Sequence, residues 1–314
     1  MENTLRIGSR GSPLALAQSR LVAAMLAKQA GLDAAQFPIE SFMTSGDRIQ
    51  GRLQDAGGKG LFTKELDEAL LDGRIDAAVH SMKDLPTRMP PGIVLACVPA
   101  REDQRDAFIA AKAKSLIELP SGATVGTASL RRQAQTLHLR PDLKVEMLRG
   151  RVETRLAKIE SGAFDATYLA LAGLKRLGLE NHAASIVDGQ TMPPAPGQGA
   201  LAVTARAGDE KTLALLAPLN MAEHAITTTA ERAFLEALDG SCRTPIAALA
   251  NIADGKLSFL GEVLTPDGKH CWRRRETVSL GDTQTARALG LKLGAQIKAE
   301  AGPLYQAHFG DKGW

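Results

Sequence analysis

Aromatic residues are scarce in this sequence, where they make up 4% of 314 residues. So few rings disfavour a base-stacking platform for single-stranded nucleic acid. An excess of either charge sign is also missing, because 38 Lys and Arg residues stand against 35 Asp and Glu residues and leave a formal net charge of +3. That balance disfavours a protein coated uniformly with cations for nucleic-acid binding. No apolar run approaches the ~20 residues that span a bilayer.

Cysteine is almost as rare, and it occurs only at positions 97, 242 and 271. Three cysteines cannot form a complete set of disulfides, and their spacing is not that of a metal site. The stretch from Met1 to Ile7 contains no basic segment followed by an apolar core, so no signal peptide is predicted. These absences favour a protein of the reducing cytoplasm, where thiols stay free.

Arginine and lysine, by contrast, recur at three junctions where a strand-like run gives way to a helix-like run. A helix N-terminus carries partial positive charge, so cations there oppose the local preference. At a single junction, an arginine reaching into solvent is the ordinary interpretation. Cations that recur beyond the carboxyl ends of several strands predict instead a pocket that binds an anion with many charges. The runs cover 123–127, 145–148 and 166–171, and the cations after them are Arg131 and Arg132, then Arg149, Arg151 and Arg155, then Lys175 and Arg176.

The pattern of strands and helices predicts an α/β fold. A helix is expected after Ser12-Pro13, with serine as the N-cap, proline at the first helical position and Gly31 at the end. Apolar runs at 76–80 and 93–98 predict strands of a buried sheet.

Glycine and proline mark two irregular segments. Residues 44–60 contain five glycines and predict a mobile loop, which is either a binding loop or a plain surface excursion. Residues 192–199, rich in proline and glycine, predict a crossing segment, and a polar connector at 99–105 predicts a domain boundary. The C-terminal part is predicted to be an α+β module, with helices at 222–239 and 282–299 and strands at 246–253, 257–264 and 270–278.

Two side chains are candidates for chemistry. Asp84 follows a predicted strand beside Lys83, and a carboxylate there can stabilise a cation or move a proton; a residue that caps a short helix is an equally good interpretation. Cys242 is the best nucleophile candidate, because the neighbouring Arg243 favours a thiolate, although free cysteine is usually a small buried hydrophobe. His80 is interpreted as a hydrogen-bonded core histidine.

A set of short motifs, in a fixed order over roughly residues 5–245, resembles the porphobilinogen deaminase family. Any one string is weak evidence, whereas the ordered set is specific; the C-terminal module matches only loosely. The strings are Arg10-Gly-Ser-Pro-Leu-Ala-Leu16, Gly57-Gly-Lys-Gly-Leu-Phe62, Lys64-Glu-Leu66, Val79-His-Ser-Met-Lys-Asp84, Arg101-Glu-Asp103, Arg105-Asp-Ala-Phe108, Gly126-Thr127, Ser129-Leu-Arg-Arg132, Leu148-Arg-Gly150, Thr154-Arg155, Ala172-Gly-Leu-Lys-Arg-Leu-Gly178, Gly197-Gln-Gly-Ala200 and Cys242.

The resemblance implies a transferase that joins four porphobilinogen molecules head to tail, each losing ammonia, into the linear tetrapyrrole hydroxymethylbilane. In the family, the chain grows on a dipyrromethane cofactor made of two porphobilinogen units and linked by a thioether to the cysteine that matches Cys242. Every pyrrole ring carries an acetate and a propionate, so a chain of six rings carries about a dozen carboxylates, which would account for the recurrent arginines.

The resemblance also assigns roles to individual residues. Asp84 would be the catalytic carboxylate, which stabilises the positive pyrrole nitrogens and the azafulvene cation left when ammonia departs. The residues expected to contact the cofactor, besides Cys242, are Ser81, Lys83, Thr127, Ser129, Arg131 and Arg132. Those expected to bind substrate or the growing chain are Arg10, Ser12, Lys59, Arg149, Arg155, Arg176 and Gln198.

The implied fold has two lobes like those of type II periplasmic binding proteins, with mixed, largely parallel sheets and a cleft between them, and a smaller α+β C-terminal domain. We expect domain 1 at 1–98 and 200–218, domain 2 at 99–199 and domain 3 at 219–314. The resemblance further implies a cytoplasmic monomer that uses the small molecule porphobilinogen, engages no metal, nucleic acid or membrane, and passes its product to uroporphyrinogen-III synthase.

Three positions depart from the common family pattern: Asp55 where lysine is frequent, Ser241 where glycine is common, and Gly11 where glutamine is frequent. The first removes one cation, and the others alter loop geometry slightly. Two rival functions remain: a two-lobed binding module without catalysis, and a nucleic-acid-binding protein that uses the arginines on phosphates. Cys242 and Asp84 argue against the first, since binding alone needs neither, and the small net charge argues against the second.

Overall fold

The computed structural model describes residues 5–48, 60–239 and 244–309, and the chain divides into two compact units. Unit 1 consists of Met1–Glu102 and Gly199–Ala225, and unit 2 consists of Asp103–Gln198 and Ile226–Trp314. The first break falls inside the connector where the sequence predicts a boundary. Unit 2 contains the central segment together with most of the C-terminal one, and the division into three domains stays a prediction.

Strands and helices alternate along most of the chain. Up to residue 97 they are β1 (Ile7–Arg10), α1 (Pro13–Ala30), β2 (Ile39–Phe42), α2 (Ser45–Arg48), α3 (Lys64–Leu71), β3 (Ala77–Ser81) and β4 (Ile93–Cys97). From 106 to 186 they are β5 (Asp106–Ala110), β6 (Thr124–Gly126), α4 (Leu130–Leu139), β7 (Lys144–Glu146), α5 (Val152–Glu160), β8 (Ala166–Ala170), α6 (Leu171–Leu177) and β9 (Ser185–Ile186). The rest are β10 (Leu201–Arg206), α7 (Glu210–Leu216), α8 (Ala222–Ala237), β11 (Ile246–Ala253), β12 (Lys256–Leu264), β13 (Cys271–Ser279) and α9 (Thr283–Phe309).

Unit 1 is built on a five-stranded sheet with the order β2-β1-β3-β10-β4. β1 is parallel to β2 and β3, whereas β10 is antiparallel to β3 and β4. α1 begins as predicted, because the Ser12 hydroxyl accepts a hydrogen bond from the Ala15 amide at 3.3 Å, and it ends at Gly31 with φ 65°. Its Val22 and Leu26 are fully buried in the core of this unit. Since β1 and β3 are parallel, the residues that follow them lie at one edge of the sheet.

Unit 2 contains a second five-stranded sheet with the order β7-β6-β8-β5-β9. The neighbours β7, β6 and β8 are parallel, and β5 is antiparallel to β8 and β9. Phe108 and Tyr168 meet in its core with ring centroids 5.6 Å apart. The carboxyl ends of β6, β7 and β8 therefore lie side by side, which confirms that the three basic junctions belong to one edge of a sheet.

The C-terminal part of unit 2 is an antiparallel sheet, β11-β12-β13, packed against α8 and α9. Phe234 of α8 and Phe259 of β12 have ring centroids 5.4 Å apart. α9 runs past the predicted end at 299, but its helical geometry breaks at Gly302, where φ is 48° and ψ is −126°. These elements confirm the predicted α/β class with a smaller α+β module. None of the helices in the described ranges combines the length and apolar character needed to cross a bilayer.

The third basic junction differs from its prediction. α6 begins at Leu171, directly after β8, so Lys175 and Arg176 lie in the last turn of this short helix and not at its start. Gly178 ends the helix with φ 67°. Cations at a helix C-terminus are favoured by the partial negative charge there. Contrary to the prediction, Lys175 and Arg176 therefore do not oppose the charge of their helix end. Arg131 and Arg132 do, because they lie in the first turn of α4.

Candidate functional site

Asp84 lies at the sheet edge of unit 1, immediately beyond β3. The chain leaves β3 through a single 3₁₀ turn, Met82–Asp84, which two buried side chains fix in place: Met82 at 1% exposure and Leu85 at 4%. Ser81 is the N-cap position of this turn, so Asp84 is its last residue and not its cap. The capping interpretation of Asp84 is therefore wrong, and its half-buried carboxylate is left for another role. Arg10 lies close to it, with Nη1 3.8 Å from Oδ2.

Arg10 is the last residue of β1 and stands between two carboxylates. Its Nε donates to Oδ2 of Asp47 at 3.4 Å, and its Nη2 donates to Oδ1 of the same residue. The Phe62 ring covers one face of the guanidinium, with its centroid 4.2 Å from Cζ. Cation–π contact and the paired hydrogen bonds hold the plane of Arg10 in a fixed direction. The sequence did not single out Asp47, which is 37 residues away from its partner.

The other predicted residues of unit 1 surround these two. The Ser81 hydroxyl accepts a hydrogen bond from Gln18 Nε2 at 2.9 Å, and Ser12 caps α1. Lys83 is half-buried on the same turn as Asp84. His80 is 4% exposed and its Nε2 is 3.2 Å from Thr204 Oγ1. Burial, aided by the charge of Arg10, lowers the pKa of His80 to about 4, so it is the neutral core histidine that the sequence predicts.

In unit 2, the residues after β6 shape the start of α4. The hydroxyl of Thr127 accepts a hydrogen bond from the Ser129 amide at 3.1 Å, and the hydroxyl of Ser129 accepts one from the Arg132 amide at 3.4 Å. Thr127 is 5% exposed. Two successive side-chain caps thus satisfy amides that the first helical turn cannot bond internally. They hold the backbone that carries Arg131 and Arg132.

Arg131 and Arg132 are both buried, and they share one carboxylate. Asp106, the first residue of β5, accepts from Arg131 Nη2 at 2.9 Å and from Arg132 Nη2 at 2.7 Å. Gln198 adds a third donor to the same carboxylate at 2.8 Å. Burial alone would raise the pKa of Asp106, but the two guanidinium charges and these hydrogen bonds outweigh it and hold that pKa well below its ordinary value. Asp106 is therefore ionised at any physiological pH.

The guanidiniums of Arg131 and Arg132 each have N–H groups that form no hydrogen bond with the described residues. Arg131 also donates to Gln135 Oε1 and to the Pro193 carbonyl, and Arg132 also donates to Asp106 through Nε and to the Tyr168 carbonyl. Each therefore uses three of its five N–H groups. The Nε of Arg131 is buried and has no hydrogen-bond partner among the described residues. A buried donor without an acceptor costs about 1–3 kcal/mol, so this atom is an unusual feature of the described structure.

Arg149 and Arg155 bring two more cations to the same edge. Arg149 follows β7, and Arg155 lies one turn into α5, where its Nε donates to the Gly150 carbonyl at 2.9 Å. Burial and the charges of Arg132 and Arg149 lower the pKa of Arg155 to about 10. The charges of Arg132 and Arg149 therefore reach Arg155, and the three arginines form a region of concentrated positive charge. The half-buried Arg176, from the third junction, lies on α6 beyond the adjacent strand β8.

Several of the sequence's predictions lie beyond the described ranges. Cys242, Lys59, Asp55 and Ser241 all fall outside them. Gly11 is described, and a Cβ at this position would meet nothing within 4 Å. A Cβ would therefore fit here without displacing any described neighbour.

The sequence contained one usable signal for the site residue it missed in unit 2. Asp106 opens an otherwise apolar strand, Asp-Ala-Phe-Ile-Ala, and charged residues are rarely fully buried unless they are paired. An acid inside such a run therefore indicates a buried cation as its partner. Asp47 had no comparable signal, because it lies in a polar, glycine-rich segment.

The comparisons with known proteins agree with the motifs. The family model described as "Porphobilinogen deaminase, dipyromethane cofactor binding domain" matches residues 5–214, and the model "Porphobilinogen deaminase, C-terminal domain" matches residues 225–299. A porphobilinogen deaminase of Caulobacter vibrioides is 53% identical over 310 residues, which cover 95% of this chain and 96% of the relative. One of Phenylobacterium zucineum is 50% identical and covers 95% and 97%.

The similar solved structures are much more distant. The periplasmic VFT2 domain of Bordetella pertussis BvgS has a TM-score of 0.39 at 16% identity and covers 69% of this chain and 86% of its own. The substrate-binding protein of an amino acid ABC transporter has a TM-score of 0.37 at 15% identity, and covers 69% and 91%. The description of the fold therefore rests on the strand order of the two sheets themselves.

Proposed function

Because the chain belongs to the porphobilinogen deaminase family, we propose that Asp84 is the catalytic carboxylate of its reaction. The chain is a transferase that joins porphobilinogen molecules, with loss of ammonia, into the linear tetrapyrrole hydroxymethylbilane. One observation carries the proposal: Asp84 is a half-buried carboxylate at a strand end, 3.8 Å from an arginine that is fixed on its other side. Asp84 can thus stabilise a cationic centre of the substrate, and Arg10 beside it can bind a substrate carboxylate.

Charge defines what Asp84 does. When ammonia leaves porphobilinogen, the pyrrole that remains is a cation, and the ring that attacks it passes through a positive state before losing a proton. An ionised carboxylate about 4 Å from a unit positive charge stabilises it by roughly 4 kcal/mol at an effective dielectric constant of 20. That amount corresponds to about a thousandfold in rate. Asp84 is also placed to accept the proton that the attacking ring releases.

Arg10 orients the same substrate by a different interaction. Its guanidinium can bind an acetate or propionate through two parallel hydrogen bonds, which fixes the ring as well as attracting it. A carboxylate held by Arg10 lies within a few ångströms of Asp84, so binding and chemistry are coupled in one place. Ser12 and Lys83 add a hydroxyl and an ammonium group to this set.

The residues beyond β6 fit the dipyrromethane cofactor. This group supplies the starting end on which the chain grows, and it brings four carboxylates. The unused donors of Arg131 and Arg132 suit those carboxylates, above all the buried Nε of Arg131 that donates to nothing in the described residues. Thr127, Ser129, Ser81 and Lys83 complete the proposed cofactor contacts, and Cys242 is proposed as the point of covalent attachment.

The second cluster of cations serves the growing chain. Arg149, Arg155 and Arg176 follow neighbouring parallel strands. Burial and the charges of Arg132 and Arg149 lower the pKa of Arg155, and bound carboxylates would offset that positive charge. Gln198 and Lys59 complete the proposed substrate contacts. We further propose that the protein acts as a monomer and passes its product to uroporphyrinogen-III synthase.

Replacement of the carboxylate tests the proposal. Asp84→Asn keeps the shape of the side chain but removes its charge, and the expected result is a loss of turnover of about a thousandfold, with the melting temperature unchanged. Asp72→Asn, which alters another acid of unit 1 in an exposed pair with Arg74, is the matched control and keeps full activity. Both proteins are first supplied with hydroxymethylbilane, and their masses are checked, so that cofactor loading is equal. If Asp84→Asn with a full cofactor load turns over at more than a tenth of the wild-type rate, Asp84 is not the catalytic carboxylate.

A further inference from the structure

Arg10 is held by one carboxylate and stands slightly apart from another. Asp47 accepts hydrogen bonds from both its Nε and its Nη2, whereas Asp84 is 3.8 Å from its Nη1. A separation of 3.8 Å is too long for a hydrogen bond. The arginine is thus bound on its Nε/Nη2 side, and its Nη1/Nη2 end faces the proposed catalytic acid without closing on it.

We propose that Asp47 is a positioning residue that keeps Arg10 apart from Asp84 and leaves the outer end of the guanidinium open to a substrate carboxylate. The inference rests on the proposed function, since it takes Asp84 as the catalytic acid and Arg10 as a substrate ligand. It adds a residue that lies outside the motifs of the sequence.

The first support is that Asp47 is itself fixed. Its Oδ2 accepts hydrogen bonds from the Thr44 hydroxyl at 2.7 Å and the Thr44 amide at 3.3 Å. Burial alone would raise the pKa of Asp47, but the hydrogen bonds from Arg10 and Thr44 and the charge of Arg10 outweigh it and keep that pKa below its ordinary value. An ionised carboxylate held by the amide and the hydroxyl of Thr44 is a rigid support for the arginine.

The second support is the wall formed by Phe62. Gly46, beside Asp47, packs so closely under this ring that a Cβ would collide with it. The Gly46 amide also donates to the Leu61 carbonyl at 2.6 Å, so the backbone that carries Asp47 is tied to the backbone that carries Phe62. The Phe62 ring therefore contacts one face of the Arg10 guanidinium, and the Asp47 carboxylate binds its edge. The segments that carry these two side chains are hydrogen-bonded to each other.

The third support is the arrangement of charge. Without Asp47, the guanidinium would keep Asp84 as its one described carboxylate partner, and a shift of less than 1 Å would bring it into hydrogen-bond range of Asp84. A closed pair of Arg10 and Asp84 would occupy both the substrate ligand and the catalytic carboxylate. Asp47 prevents this by supplying the stronger contact at a fixed place.

The test is Asp47→Asn, which keeps the size of the side chain and removes its charge. Loss of the ionic contact should let Arg10 close on Asp84, so we expect kcat to fall at least tenfold and a crystal structure of the variant to show the Arg10–Asp84 distance below 3.2 Å. Asp47→Glu, which restores the charge, should recover a large part of kcat. Asp76→Asn breaks another arginine–carboxylate pair of unit 1, with Arg6 and Arg206, and serves as the control that lowers stability but leaves kcat unchanged.

A second measurement separates positioning from simple structural damage. In an Arg10→Gln background, Asp47→Asn should cause no further loss of kcat, because it acts through the arginine. If the two losses multiply, or if Asp47→Asn keeps wild-type kcat with Arg10 still 3.8 Å from Asp84, the inference is overturned. Asp84→Asn, assayed in parallel, distinguishes the two failures: an active Asp84→Asn enzyme removes the proposed function, whereas an inactive one beside an unaffected Asp47→Asn removes only this inference.

Discussion

Asp106 is the residue whose loss should destabilise unit 2 most clearly. Its carboxylate is fully buried and forms ion pairs with two buried arginines, Arg131 and Arg132. Asp106→Asn keeps the side-chain volume but leaves two buried positive charges facing each other with no anion between them. Removal of one partner from a buried ion pair costs about 3–5 kcal/mol. With an m-value of about 3 kcal/mol/M, the urea midpoint should fall by roughly 1–1.7 M.

Tryptophan fluorescence during urea unfolding measures this directly, because Trp272 lies in β13 of unit 2. The control is Glu300→Gln, which opens the exposed pair of Glu300 with Arg274; exposed pairs contribute little to stability, so its midpoint should stay at the wild-type value. If Asp106→Asn unfolds at the same urea concentration as this control, the buried carboxylate does not hold the two arginines in the way described.

Three further predictions concern pH, packing and binding. Unfolded His80 takes up a proton near pH 6.5, while the folded residue does so only near pH 4. The free energy of unfolding should therefore fall by up to about 3 kcal/mol as the pH drops through this window. A His80→Gln variant whose urea midpoints decline equally with pH would contradict this. Gly290→Ala should cost about 1–3 kcal/mol, because a Cβ there would collide with the Ala230 carbonyl, while Gly208→Ala meets no neighbour within 4 Å and should be neutral; equal melting temperatures would refute the packing argument. Arg149→Leu should raise KM for porphobilinogen and slow the early additions, and kinetics and intermediates identical to wild type would remove Arg149 from the anion site.

Local signals in the sequence predicted much of this molecule. The start of α1 at Ser12-Pro13 and its end at Gly31 follow from neighbours in the chain, and so does the placement of Arg131 and Arg132 in the first turn of α4. The sheet edge was also predictable, since parallel strands place their carboxyl ends together. The family resemblance then assigned roles that composition alone could not supply.

Contacts between distant segments could not be predicted in this way. Asp106 meets Arg131 because β5 inserts antiparallel beside β8, and Arg10 meets Asp47 across 37 residues. The predicted position of Arg176 at a helix start was wrong for another reason, while its predicted role in substrate binding stays a prediction. The helix α6 begins without a connecting loop and has only seven residues, so Arg176 lies in its last turn. The strand β2 went unnoticed because its four residues are all partly or fully exposed.

The central claim is that the chain builds a tetrapyrrole on a cofactor carried by Cys242. The most direct test is the intact mass of the purified protein, followed by mapping of any adduct to a peptide, with Cys242→Ser prepared in the same way. The account predicts a two-pyrrole increment on the peptide that contains Cys242 and no increment on the serine variant. An unmodified wild-type chain that also gained no mass when supplied with porphobilinogen or hydroxymethylbilane would contradict the account.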